Sequence, residues 1–247
     1  TTEGLINDNV KTVFADSAGA IWAGTATGLN VIRGGRILTV NLSGDWSRDF
    51  VRAIAQDRDG TMWFGTDSGL YRRDARGVRR YDAADGLPDE RVRAIAAGPD
   101  GRVWAGTARG LAVLTARGLA PASRQAGIPP GSGLDSAGIH ALAAGGGAVW
   151  IGTEDGLFRY SGGALERITT ARGLPHNNIT SLVAGSRGEL WIGTRGGLGR
   201  LRGERMEVFT RRDGLLSDTV LQVIEDGRGG LWLSSPRGVS RLHIAQL

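Results

Sequence analysis

Apolar and polar positions alternate along this chain in short runs, and no stretch keeps a helical period. Val92 to Ala97 alternates and stops at Gly98-Pro99-Asp100-Gly101. Arg102 to Thr107 follows and ends before Gly110, and Leu111 to Thr115 comes next. Period-two runs bounded by Gly, Pro and Asp predict strands joined by tight turns. Less regular fourth strands are predicted over Val78 to Tyr81 and Arg205 to Thr210. In Leu190-Trp191-Ile192-Gly193 the two faces of the strand are Leu and Ile against Trp and Gly, so neither face is polar. One small sheet cannot cover both of its own faces, but neighbouring sheets stacked around an axis can.

The pattern recurs. Tryptophans at 22, 63, 104, 150, 191 and 232 are spaced by 41, 41, 46, 41 and 41 residues. Ile21-Trp22-Ala23-Gly24-Thr25 returns as Met62 to Thr66, Val103 to Thr107, Val149 to Thr153 and Leu190 to Thr194, and in degenerate form as Leu231 to Ser235. A Gly-Leu or Gly-Val pair follows each copy. The glycine two residues after each tryptophan leaves room for a bulky neighbour, and the later glycine suits a turn of positive φ. Four strands per period of about 41 residues predict an all-β fold, a β-propeller of six blades with four antiparallel strands each. Residues 1–247 read as a single propeller domain. The last blade reads as incomplete, because the chain ends near its third strand. Closure as a six-bladed ring is preferred over an excerpt from a seven-bladed or longer array, since an open end would expose strand edges and an apolar face. The one long departure, residues 117–133 with Pro129-Pro130-Gly131, reads as a loop on the rim.

The strings Gly173-Leu174-Pro175-His176-Asn177-Asn178-Ile179 and Gly188 to Leu198, with Asp85-Gly86-Leu87-Pro88 and Asp213-Gly214-Leu215, resemble the two-component-regulator propeller repeat. The similarity runs through all six copies. The resemblance implies a sensor segment outside the cytoplasm, periplasmic or extracellular. In that family such segments belong to bacterial histidine kinases, hybrid two-component systems and some diguanylate cyclases. It also implies a small-molecule ligand, often a carbohydrate, and a signalling domain further along the same parent chain. Family arrays usually close at seven blades, and here six repeats are visible.

Composition narrows the chemistry. There is no cysteine, which excludes disulfides, thiolate metal sites and cysteine nucleophiles. No apolar run is long enough to span a membrane as a helix. The first residues, Thr1-Thr2-Glu3-Gly4, carry no signal-peptide pattern, which leaves a cytosolic protein or a mature or excised segment. Net charge is +5, and Lys11 is the sole lysine among 30 basic residues. The arginines are spread over nearly every repeat and mixed with 25 acids, so a nucleic-acid partner is not expected.

Departures from the repeat mark candidate binding positions, because the scaffold does not explain them. The loop leading into each first strand carries Asp8, Asp49, Glu90, Ala137, Asn177 and Asp218. Three residues on stand Lys11, Arg52, Arg93, His140, Thr180 and Leu221. Lys11, Arg52, Arg93 and His140 would form a cationic arc for an anionic ligand. Ion pairs of purely structural value, Asp8 with Lys11, Asp49 with Arg52 and Glu90 with Arg93, explain the same residues. Arg109, Arg195 and Arg237, in the turns between second and third strands, would line the same face or simply be solvated. Trp46 stands where other repeats have leucine, and either fills an apolar pocket or stacks on a sugar or partner. His176 is the best single acid/base candidate. No H-x-x-H spacing exists, and the turns at Asp57 and Asp226 fit hairpins better than calcium loops, so neither metal nor cofactor is expected.

Three functions follow: a non-catalytic ligand-sensing propeller, which is preferred; a propeller lyase or hydrolase acting on a polysaccharide or lactone; and a scaffold for protein partners. An enzyme would need a base and an electrophilic stabiliser to converge, and no such constellation is evident.

Overall fold

The structure is a computed structural model that describes residues 4–42, 44, 50–98 and 100–247. The fold is a six-bladed β-propeller, with four antiparallel strands in each of the first five blades and three in the sixth. The chain divides into two compact units, Thr1–Ile139 and His140–Leu247.

In the first unit the first strands of blades 1, 2 and 3 are Val10–Ala15, Val51–Gln56 and Val92–Ala97, and they lie side by side. The tryptophan strands follow as Ile21–Thr25, Met62–Thr66 and Val103–Thr107. Third and fourth strands continue each sheet outward in simple meander order. In the second unit the first strands are Ala141–Gly145, Ile179–Ala184 and Gln222–Glu225, with tryptophan strands Ala148–Gly152, Leu190–Thr194 and Gly230–Ser235. Blade 6 ends with its third strand, Gly238–His243, and a helical turn over Ile244–Gln246.

The repeated residues each have a visible task. A Cβ on Gly24 would meet Val51 Cγ1 at 2.7 Å, one on Gly65 would meet Val92 Cγ1 at 2.8 Å, and one on Gly152 would meet Ile179 Cγ2 at 2.6 Å. In these three blades the glycine two residues after the tryptophan is therefore the socket for a β-branched residue that opens the next first strand. The threonine that follows works in two directions. Its hydroxyl donates to the carbonyl of the glycine three residues on, as in Thr25 to Gly28, Thr66 to Gly69, Thr107 to Gly110, Thr153 to Gly156 and Thr194 to Gly197. The carbonyls of Thr107, Thr153 and Thr194 accept the amides of Ile139, Ile179 and Val220, which tie on the next stretch of chain. The core lies between blades, for example Trp22, Phe64 and Tyr71 with Val51, or Trp191, Val220, Val223 and Leu233.

The Asp-Gly-Leu string is a helical turn closed by a left-handed glycine. Asp82 and Thr210 cap such turns with their side chains, Gly86 and Gly214 follow at φ 110° and 100°, and Leu87 and Leu215 are then buried. The turn between first and second strands is also a hairpin cap, as the sequence suggests for Asp57. Asp57 Oδ1 accepts the amides of Asp59 and Thr61, and its Oδ2 accepts Trp63 Nε1–H. Asp16 does the same for Ala18, Ala20 and Trp22. In blade 6 the second oxygen of Asp226 takes the Arg241 guanidinium instead. Trp232 is 42% exposed there, against 0% for Trp191.

These caps make folding acid-sensitive. The Trp22 indole, with the Ala20 and Ala18 amides, outweighs burial and holds the Asp16 carboxyl below the usual carboxylate range. The Arg241 guanidinium and two backbone amides hold Asp226 lower still. A folded-state pKa below the unfolded value gives stability that is complete above the unfolded value and lost as pH falls through the folded one. The urea midpoint is therefore expected to fall as pH drops below the ordinary carboxylate range. Asp16→Ala should lower the midpoint at neutral pH and flatten its acid slope.

The long departure at residues 117–133 is more than a rim loop. It contains the fourth strand of blade 3, Gly118–Pro121, and a helical turn, Ala122–Gln125. Ala122, Ala126 and Ile128 are buried, so the segment is packed rather than merely tolerated.

Candidate functional site

At the first strands of blades 1, 2, 3 and 5 the chain bulges. Val10 pairs with Thr25 and Thr12 with Gly24, which leaves Lys11 as the extra residue. Arg52, Arg93 and Thr180 are skipped in the same way. His140 and Leu221 share a partner with the residue that follows them, Gly152 and Ser234 respectively. A bulge turns its extra side chain out of the sheet's alternation, and such bulges recur beside binding sites. The residues that vary most between copies thus stand at the place where the repeat frees a side chain from packing.

The turn between second and third strands lies at the same end of each blade. In the first unit Ala26 N–H, Asp67 N–H and Ala108 N–H donate to the carbonyls of Asn9, Phe50 and Arg91, each just ahead of a first strand. Arg52 uses this proximity. Its Nε and NH2 bind the two carboxylate oxygens of Asp67 at 2.5 and 2.9 Å. Its guanidinium carbon also lies 4.2 Å from the Phe50 ring centre, and Lys11 Nζ lies 5.4 Å from the same ring. Two cations against one aromatic ring is a cation–π cluster. In the second unit His140 Nε2 lies 3.3 Å from Glu154 Oε1. Basic residues of blades 2 and 4 therefore face an acid from their own hairpin. The corresponding hairpin positions in blades 1 and 3 are Ala26 and Ala108. Lys11 and the half-buried Arg93 have no ion-pair partner among the described residues.

Of the expected structural ion pairs, the one between Glu90 and Arg93 takes another form, and the one between Asp49 and Arg52 involves a residue outside the described ones. Arg52 pairs with Asp67, while Asp49 lies outside the described residues. Glu90 pairs with Arg80, 3.4 Å from its NH2, rather than with Arg93. A residue three positions away along a bulged strand does not face its neighbour, whereas the hairpin folds directly over it. Burial raises the Asp89 carboxyl, but the Arg91 amide and guanidinium, with Arg109 nearby, outweigh it and hold Asp89 below the usual range.

The other candidates separate. Arg109, Arg195 and Arg237 are exposed in their turns. Asn177 is committed to structure, its Oδ1 accepting the Thr170 amide, as Asp218 does for Arg211. His176 is exposed, and its Nδ1 accepts the Asn178 amide, which leaves only Nε2 for chemistry. Thr180 donates its hydroxyl to the Val220 carbonyl. Trp46 lies outside the described residues. Phe50 and Asp67 were not singled out by sequence. The signal for Phe50 is an aromatic directly before the buried Val51, where other copies carry Asn9, Arg91, Gly138, Asn178 or Thr219.

Among the described residues, no helix is long and apolar enough to cross a membrane. No curated protein matches the sequence. Among solved structures, the chain is similar to the extracellular domain of BT3049, assigned as a hybrid two-component system of B. thetaiotaomicron. That match has TM-score 0.81 and 24% identity, and covers 100% of this chain and 34% of that one. The chain thus spans about a third of that domain's length. It is also similar to virginiamycin B lyase from Staphylococcus aureus, at TM-score 0.73 and 18% identity over 96% of this chain and 82% of the lyase. A gluconolactonase from Xanthomonas campestris matches at TM-score 0.60 and 15% identity, over 95% and 85% of the two chains. At such identities these likenesses show the fold, which hosts sensor domains, lyases and lactonases alike. Residues 45–68, 86–109 and 173–196 match the family described as Two component regulator propeller, each segment running through a first strand and a tryptophan strand to the following hairpin. Three of the six repeats of this chain thus match the two-component regulator propeller repeat.

Proposed function

We propose that this chain is the ligand-sensing segment of a bacterial two-component-type receptor that works outside the cytoplasm. It binds a small anionic ligand, best matched by a carboxylated sugar, where the first strands of blades 1 to 3 begin, and does not transform it. One observation carries this reading. Lys11 and Arg93 stand on bulges without acidic partners among the described residues, on either side of the Arg52–Asp67 pair and Phe50. Guanidinium and ammonium groups without acidic partners favour an anion, and a carboxylate supplies a bidentate acceptor for Arg93.

Titration calorimetry with galacturonate and with uncharged galactose tests the proposal. Galacturonate is expected to bind at least about tenfold more tightly than galactose, the equivalent of one charge-assisted hydrogen bond. Lys11→Ala and Arg93→Ala should each weaken galacturonate by about tenfold, and added salt should weaken it further. Equal affinity for the two sugars, or indifference to both substitutions, would contradict the proposal. Consumption of the ligand that stops in His176→Ala would point to a lyase instead.

A further inference from the structure

We propose a second binding site, between blades 4 and 5, for a small zwitterion that carries both an ammonium and a carboxylate group, an α-amino acid. It lies at the end of the blades where first strands turn into second strands, away from the bulged strand starts. A cavity of about 170 Å³ is lined there by Trp150, Arg159, Glu189 and Leu201, with Gly145 and Gly185. Glu189 is 2% exposed, and neither of its carboxylate oxygens has a hydrogen-bond partner among the described residues. Arg159 Nε is also buried without a partner, its guanidinium held 5.5 Å from the Trp150 ring centre. A buried carboxylate and a buried guanidinium nitrogen left unsatisfied are costly, and such groups persist where a ligand completes them.

The chain's own repeats show that Glu189 is a departure. In blades 1, 2 and 6 the position of Gly185 is held by Asp16, Asp57 and Asp226, and the position of Glu189 by Ala20, Thr61 and Gly230. There the aspartate caps the turn, and in blades 1 and 2 it also accepts the indole N–H. Blade 5 has moved the acid to the second strand. The glycine makes space for it, since a Cβ on Gly185 would come within 2.9 Å of Glu189 Cδ. The displaced acid does not take over the old task. Trp191 Nε1 has no hydrogen-bond partner among the described residues, and the Ser186 amide is satisfied by Glu225 Oε2. Glu189 is thus built into a cavity wall with both oxygens unspent.

The volume and the charges define the ligand. A cavity near 150 Å³ holds a molecule of about benzene size, which corresponds to roughly six to ten non-hydrogen atoms. Glu189 offers two acceptors for an ammonium group, and Arg159 offers a donor for a carboxylate. Trp150 and Leu201 form an apolar wall for a short side chain.

The test is calorimetric titration of the chain with the full set of proteinogenic α-amino acids. At least one small member is expected to bind saturably, and Glu189→Gln and Arg159→Met should each weaken it at least tenfold. The double variant Gly185→Asp/Glu189→Ala gives blade 5 the arrangement of Asp16 and Ala20. It should keep or raise the melting temperature while abolishing binding, which a merely structural Glu189 would not do. Arg93→Ala should leave this binding unchanged, so the two sites fail or succeed separately. Absence of saturable binding across the set, or binding that survives in the double variant, overturns the proposal.

Discussion

Replacing Trp191 by alanine is expected to destabilise the chain by about 3–5 kcal/mol, the usual cost of deleting a buried large aromatic. Trp191 is 0% exposed and packs with Leu198, Val220, Val223 and Leu233 in the core shared by blades 5 and 6. Its ring also lies 5.5 Å from the Arg200 guanidinium. Truncation would therefore open a cavity and strand a guanidinium that is itself buried and paired with Glu207. At roughly 2–4 °C per kcal/mol for a chain of this size, the melting temperature should fall by about 6–20 °C. Trp232 holds the same place in the repeat but is 42% exposed. Trp232→Ala should cost only about 1 kcal/mol, because surface positions without buried partners change stability little. Scanning calorimetry of both variants checks the contrast, and equal losses would show that burial between blades is not what the tryptophan contributes.

Gly152→Ala should be a damaging substitution for its size. The new methyl carbon would stand 2.6 Å from Ile179 Cγ2 and 2.9 Å from Ile179 Cβ. Gly152 has no positive φ, so the penalty is contact alone. Ile179 cannot retreat easily, since it is fully buried and its amide is bound to the Thr153 carbonyl. Overpacking of this kind costs about 1–3 kcal/mol, and the upper end applies where a β-branched neighbour is fixed by the backbone. Ile179→Ala alone should cost about 2–5 kcal/mol through the cavity it leaves. The double variant should lose clearly less than the sum, because the smaller residue makes room for the new methyl. Urea denaturation of the four chains gives the coupling energy, and strict additivity would refute the socket role assigned to the glycine.

The scaffold was legible in sequence because its causes are local and repeated. The Trp-x-Gly-Thr string states a both-sides-buried strand, a socket and a hairpin lock within a few residues, and each recurs with nearly constant spacing. The candidate site was legible only as positions. Lys11, Arg52, Arg93 and His140 could be aligned, but their partners depend on which residues the hairpin folds back. Arg52 meets Asp67 across 15 residues, a partner that only the fold of the hairpin brings over it. Glu189 went unremarked for a similar reason. Its oddity lies in the exchange with Gly185, which matters only once the turn's hydrogen bonds are known. The helical turn Ala122–Gln125 is too short to show a period, so its segment read as loop.

The bulged starts of the first strands in blades 1 to 3 are the proposed anion-binding face. Its most direct test is a crystal structure of the chain soaked with galacturonate. The carboxylate is predicted to lie against Lys11 and Arg93 beside Phe50. A fully occupied ligand elsewhere on the chain, with those two side chains untouched, would rule out an anion site at these bulges.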